Sequence, residues 1–248
     1  MKPLFGKVGV FGVGLLGGSV ALGIKERFLA EEVHAYDQDP MALEKALFLG
    51  VADRVHTEVG PWVGELDLGI LAAPVGALAE LGKALAPWAH PASLWTDVGS
   101  VKAKVVAALE GLLPHYLGGH PMAGSERAGV ENAHAGLLQN AVWVLTPTER
   151  TSPRAREGVR GLVEALGAYP LEMPPGRYDE LVATCREFGA LTPEDPYVRW
   201  PGPSRVEGPG EPEPPTYIAP LFLLFDYSFR PADVARAGLA GTGPDLLP

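Results

Sequence analysis

Hydrophobic positions along this chain switch repeatedly between short unbroken runs and runs spaced three or four apart, and that switching predicts alternating strands and helices. Lys7-Val8-Gly9-Val10-Phe11 is a β-branched and aromatic run ending in glycines, after which Leu16, Val20, Ile24 and Phe28 fall four apart. The first predicts a buried strand and the second an amphipathic helix. Val33-His34-Ala35-Tyr36 predicts a strand ending at Asp37. Asp39 then predicts an N-cap, with Pro40 at the first helical position and Gly50 closing the helix. Residues 66–72 predict a strand stopped by Pro74. Residues 93–96 predict another, stopped by Asp97-Val98-Gly99 and followed by a helical run over 101–113. A strand over 141–145 precedes a helix opened by Ser152-Pro153. Its Val159, Leu162, Val163 and Leu166 share one face before Gly167 ends it, and 169–173 forms the last strand.

Strands alternating with helices place the chain in the α/β class, with a doubly wound, mostly parallel sheet. The pattern stops after about Ala183, where Pro193, Pro196, Pro201, Pro203, Pro209, Pro212, Pro214, Pro215 and Pro220 interrupt every window long enough for a helix. The expected organisation is a nucleotide-binding domain over 1–173 and an irregular proline-rich segment over 174–248. At 248 residues there is enough chain for a sizeable core. Lys plus Arg number 20 against 30 Asp plus Glu, a net charge of -10 that repels a phosphate backbone, so nucleic acid is not an expected partner. The single cysteine, Cys185, cannot make an intramolecular disulfide. The apolar stretch 221–225 is far shorter than the ~20 residues of a membrane helix. Met1-Lys2-Pro3 runs straight into strand-like sequence with no leader-like apolar region. The expectation is a cytoplasmic protein without a membrane segment.

The loop between the first strand and helix reads Gly12-Val13-Gly14-Leu15-Leu16-Gly17. Glycine is 31 of 248 residues, so three glycines at these offsets arise by chance about half a time in such a chain. Context carries the reading. The loop leaves a strand and opens a helix, whose first N–H groups and positive dipole end suit a pyrophosphate. Gly12 allows the tight turn, Gly14 lets the backbone approach phosphates, and Gly17 lets helix and strand pack closely. Asp37, twenty residues after Gly17 at the end of the second strand, can accept both ribose hydroxyls and would repel a 2′-phosphate. A Rossmann domain selecting NAD over NADP follows, with Gly12, Gly14, Leu15, Leu16, Gly17, Asp37, Ala73, Pro74 and Asp97 as cofactor-binding candidates. An ordinary turn aspartate is the plain alternative for Asp37.

Two polar segments lie at the carboxyl ends of later strands, where ligands bind in open α/β sheets: 96–102 and 118–126. His120 sits between Gly118-Gly119 and Pro121, on an expected loop, and a neutral imidazole with an ordinary pKa of about 6.5 suits a general base near neutral pH. His34, His56, His90, His115 and His134 read as surface or structural histidines. Ser100 reads as either a helix-start residue or a site residue, and Asp97 as either a cap or a cofactor contact. Lys102 and Arg127 read as solvated charges or as contacts for an anionic substrate. No metal site is expected.

Four blocks together resemble the prephenate dehydrogenase family, which includes arogenate dehydrogenases: Gly-Val-Gly-Leu-Leu-Gly-Gly-Ser from Gly12, Thr-Asp-Val-Gly-Ser-Val-Lys from Thr96, Gly-Gly-His-Pro-Met-Ala-Gly-Ser-Glu from Gly118, and Asn-Ala-Val-Trp-Val-Leu-Thr-Pro from Asn140. The resemblance runs from Lys7 to about Ala183. It implies oxidative decarboxylation of prephenate to 4-hydroxyphenylpyruvate in tyrosine biosynthesis, with NAD taking hydride from the ring carbon that bears the hydroxyl. It also implies that His120 deprotonates that hydroxyl, that Ser100 assists, and that Ser125 and Glu126 line the substrate entrance. Arogenate is the alternative substrate, and an NAD-binding module without turnover is the alternative function.

The family continues with a helical dimerisation domain that begins with a His-Asp or similar pair and soon carries a Ser-His-Leu-Pro-His-like segment. Here Tyr178-Asp179-Glu180-Leu181-Val182-Ala183 matches the start, and Thr184-Cys185-Arg186-Glu187-Phe188 stands where that segment is expected. The family's homodimer is therefore not expected to carry over intact; a reading-frame change near codon 184 would produce such a break, and an authentic truncated homologue is the alternative.

Overall fold

The computed structural model describes residues 2–124 and 128–187. Short apolar runs become strands because both faces of the sheet are covered, which favours continuous hydrophobic sequence over strict alternation. The eight strands are β1 (Phe5–Phe11), β2 (Ala30–Tyr36), β3 (Arg54–His56), β4 (Leu68–Leu71), β5 (Leu94–Asp97), β6 (Tyr116–Pro121), β7 (Val142–Thr146) and β8 (Tyr169–Glu172). They form one sheet in the order β3-β2-β1-β4-β5-β6-β7-β8, parallel throughout except for the antiparallel pair β6–β7. The doubly wound, mostly parallel expectation holds.

Side chains alternate along each strand, so each face has its own core. On one face Val8, Val10, Val33, Ala35, Leu68 and Ile70 pack against Val20 and Ile24 of helix α1 (Leu15–Glu26), Leu43 of α2 (Pro40–Phe48) and Val159, Leu162 and Val163 of α5 (Pro153–Ala165). On the other, Phe11, Leu71 and Trp95 pack against Leu78 and Leu85 of α3 (Val75–Leu85) and Val105, Val106 and Leu109 of α4 (Ala103–Leu109). A sixth helix, α6 (Pro175–Glu187), follows β8. The caps act as the sequence predicts: Asp39 accepts from Met41 N at 2.9 Å and Ser152 from Ala155 N at 3.2 Å. Gly50 and Gly167 take positive φ, 70° and 81°, past their helices.

Several local expectations are corrected. Phe28 does not continue the apolar face of α1; it has φ 53° and is exposed, because Leu29 N turns back to Ile24 O at 2.9 Å so that β2 can begin beside Phe5. The helical run over 101–113 contracts to Ala103–Leu109. The three-residue β3 was too short to read. His120, expected on a loop, lies instead within β6, held between β5 and β7 and opposite Val144. By backbone contacts the chain divides between Tyr178 and Asp179. The proline-rich segment beyond 187 lies outside the described residues. Among the described residues no helix is long and apolar enough to cross a membrane.

Close approach across β4 and β5 gives one stability test. A Cβ on Gly69 would lie 2.2 Å from the ring of Trp95, its register partner and a fully buried side chain. Gly69→Ala is expected to cost about 1–3 kcal/mol through overpacking, read as a lower urea midpoint at unchanged slope. The β2–β3 edge gives a second. Arg54 and His34 beside Glu32 hold its carboxyl down to about 2, from an ordinary 4.5. Burial, then neighbouring His34, pushes His56 below the ordinary imidazole value. Both contributions are present above the unfolded-state pKa and are lost as pH falls through the folded one. Acidification below about pH 6.5 should first weaken the edge through His56, and below about pH 4.5 through Glu32. Amide exchange at 33–36 and 54–56 should quicken accordingly, and Glu32→Gln should flatten the lower limb.

Candidate active site

Three short segments meet the carboxyl edge of the sheet. The first is the glycine loop. Gly12 follows β1 with φ 108°, and a Cβ there would stand 2.7 Å from the Ala72 carbonyl and 2.8 Å from Ala73 N. A Cβ on Gly17 would strike Gly12 O at 1.9 Å. These two glycines are required for the loop to close against the segment leaving β4, so Ala73 and Pro74 lie beside it. Gly14 differs: a Cβ on it would meet nothing within 4 Å, and it is exposed. No side chain caps α1, and its first turn carries no acidic residue. Open space over Gly14 in front of uncapped N–H groups, with Leu15 and Leu16 half-buried beside it, fits the pyrophosphate of a dinucleotide. The loop stands where β1 is flanked by β2 on one side and β4 on the other, the switch point of this topology. Asp37 is half-buried at the end of β2; its Oδ2 accepts from Val13 N at 2.9 Å and its Oδ1 from Asp39 N at 3.0 Å. It tethers the glycine loop at the place where a ribose would lie.

The second and third segments, after β5 and along β6, are joined by a buried carboxylate. Asp97 is fully enclosed. Its Oδ1 accepts from Tyr116 Oη at 2.6 Å and Gly119 N at 3.2 Å, and its Oδ2 from Gly99 N at 2.8 Å and Lys102 Nζ. Lys102, equally enclosed, also donates to Gly119 O at 2.7 Å. Burial first, then the Asp97 charge, raises the Tyr116 phenol well above its usual range, so it stays a neutral donor. The sequence reads Asp97 as a cap or a cofactor contact; its enclosed side chain ties the loop after β5 to β6. Lys102 is corrected, being a buried ion-pair partner and not a solvated charge. What this network holds in place is Ser100, between Gly99 and Lys102, and His120, next to Gly119.

His120 is half-buried near the carboxyl end of β6. The preceding glycines are there for space. A Cβ on Gly118 would stand 2.6 Å from Thr146 Oγ1, and one on Gly119 2.6 Å from Trp143 Nε1 and 3.0 Å from Asp97 O. Nδ1 of His120 is 2.6 Å from the phenol oxygen of Tyr178, in the first turn of α6. Sequence reasoning missed Tyr178 as a site residue. The signal was its place in the Tyr178-Asp179 pair, where the family resemblance leads one to expect a His-Asp or similar pair. Ser125 and Glu126, with Arg127, lie outside the described residues. His34 and His56 are structural, stacked in line with Trp62 and 3.0 Å apart between Nδ1 and Nε2. Among the described residues no cluster could hold a metal ion.

A doubly wound sheet with a glycine turn at its switch point and an acidic residue ending the second strand is a nucleotide-binding domain of the Rossmann class. The family model for the prephenate dehydrogenase nucleotide-binding domain matches residues 20–170, and the chain belongs to that family. A prephenate dehydrogenase of Bacillus subtilis (strain 168) is 35% identical over 181 residues, covering 71% of this chain and 49% of the relative. Two solved structures are similar. Synechocystis arogenate dehydrogenase has a TM-score of 0.68 at 30% identity, over 71% of this chain and 63% of its own. The A. aeolicus prephenate dehydrogenase in complex with hydroxyphenyl propionate and NAD+ has a TM-score of 0.68 at 27% identity, over 94% and 82%. The chain spans about half the length of the curated relatives it matches.

The buried pair makes a quantitative test. Asp97→Asn removes a buried counter-charge of the Lys102 ammonium and should cost about 3–5 kcal/mol. Adding Lys102→Met should recover part of that loss in the double variant. Chemical denaturation of the three variants gives the coupling; strict additivity would contradict the network.

Proposed function

We propose that this chain catalyses NAD-dependent oxidative decarboxylation of prephenate to 4-hydroxyphenylpyruvate. The observation that carries the reading is the placement of His120. It stands at the carboxyl edge of the sheet, two strands from β4 and three from β1, with its strand tied to the Ser100 loop by Asp97 and Lys102. The glycine loop and the N-terminus of α1 would hold the pyrophosphate, and Asp37 the ribose hydroxyls, which favours NAD over NADP. Bound there, NAD supplies the hydride acceptor.

The chain's own residues handle the proton. A hydroxyl that becomes a carbonyl must lose its proton as hydride leaves, and the His120 imidazole accepts it. Ser100 orients the hydroxyl toward that imidazole. The sheet edge aligns the reacting carbon, and the buried network keeps both groups from drifting, which converts binding energy into orientation. The A. aeolicus complex, with NAD+ and a hydroxyphenyl acid of the same class as the proposed product, supports the assignment of cofactor and substrate class. Arogenate is the second reading, favoured by the similarity to the Synechocystis arogenate dehydrogenase.

Purified protein with NAD and prephenate, then with NAD and arogenate, tests the proposal by NADH formation. His120→Ala should lower kcat/KM by about 10²–10⁴-fold with NAD affinity retained. Asp37→Ala should weaken NAD and narrow its advantage over NADP. NAD binding without turnover on either acid would replace the enzyme by a nucleotide-binding module.

A further inference from the structure

We infer that Tyr178 is a positioning residue for His120: its phenol oxygen accepts the Nδ1 proton and so fixes the imidazole as the tautomer whose Nε2 takes up a proton. The inference rests on the reading of His120 as the base. The contact is short, 2.6 Å between Oη and Nδ1, with the rings edge to face at 76° and centroids 5.8 Å apart. Tyr178 is 1% exposed, so water does not compete for this contact.

The chain is led to this point tightly. Met173 N bonds Leu145 O at 3.1 Å at the end of β8, and Tyr178 N bonds Pro174 O at 3.1 Å as α6 begins. Five residues therefore carry the backbone from the sheet to the imidazole. Phenylalanine would fill the same buried space; only the hydroxyl addresses the ring nitrogen.

Either polarity fits a phenol facing an imidazole. With Nδ1 taken by Tyr178, proton uptake from a substrate hydroxyl must run through Nε2, and a neutral imidazole can do that only if its proton is on Nδ1. Nδ1–H then donates to Oη. In the step itself the substrate O–H breaks and Nε2–H forms, while the Nδ1–H···Oη bond persists and strengthens against the imidazolium. No group has to turn over between the two protonation states. The reverse polarity, Tyr178 donating, would put the proton on Nε2 and make His120 a donor toward the substrate.

Nitrogen NMR of the full chain labelled at its six histidines reads the tautomer directly, with His120 assigned by its loss in His120→Gln. Neutral His120 should carry its proton on Nδ1. In Tyr178→Phe the tautomers should mix, and the imidazole midpoint should move to lower pH because the imidazolium loses its acceptor. Tyr178→His, which restores an acceptor nitrogen, should reverse part of both changes. In turnover, Tyr178→Phe should lower kcat by about tenfold, the worth of one hydrogen bond to a charged group, with KM and NAD affinity little changed. A proton on Nε2 in the unaltered protein, or a midpoint that rises in Tyr178→Phe, overturns the inference. So does an unchanged tautomer and midpoint in that variant, while a large effect of His120→Ala would leave the base reading standing. If His120→Ala instead retains full turnover, the base reading fails, and the tautomer measurement still decides what Tyr178 does.

Discussion

The Asp97 carboxylate is the constraint on which the site depends. A charge removed from water is costly unless its lone pairs are filled, and here two backbone amides, a phenol and an ammonium fill them. Because the donors come from the loop after β5 and from β6, satisfying the charge fixes two strand ends at once. Lys102 closes the arrangement by donating also to the Gly119 carbonyl. A hydrophobic pair in the same place could supply as much stability. It would not fix the angle between the Ser100 loop and His120, since burial is non-directional and hydrogen bonds are not.

Glycines set the other distances. Gly12 and Gly17 let the first loop close on itself and on the segment after β4, Gly69 admits the Trp95 ring, and Gly118 and Gly119 let β6 lie against Thr146, Trp143 and the Asp97 backbone. Gly14 is the exception, with open space in front of it. The contrast separates glycines needed for packing from one whose open face leaves room beside the N-terminus of α1.

Much of this was legible along the chain. The strands of the first βαβ unit, the caps Asp39 and Ser152, the stops at Gly50 and Gly167, and the glycine loop with Asp37 depend on local periodicity and turn chemistry, which neighbouring residues carry. The setting of His120 and Ser100 at strand ends marked them as candidates, and resemblance to a family added the roles expected of them. The misreadings were long-range. His120, bracketed by Gly-Gly and proline, has the composition of a loop, yet β5 and β7 recruit its backbone into a strand. Lys102 and Asp97 look like a surface charge and a cap until the fold brings Tyr116 and Gly119 over them. Tyr178 reaches the imidazole across 58 residues, a separation no local pattern encodes.

By itself the sequence determined the α/β class, the order of most elements, the glycine turn after the first strand and the family, because those follow from hydrophobic period, turn residues and contiguous motifs. Only the tertiary structure decided that Asp97 lies beneath the site, that Lys102 is buried, and that Tyr178 stands against His120. The reason is physical. Burial and hydrogen-bond partnership are properties of groups brought together by folding, and one residue type is a solvated charge or a buried tie according to what surrounds it.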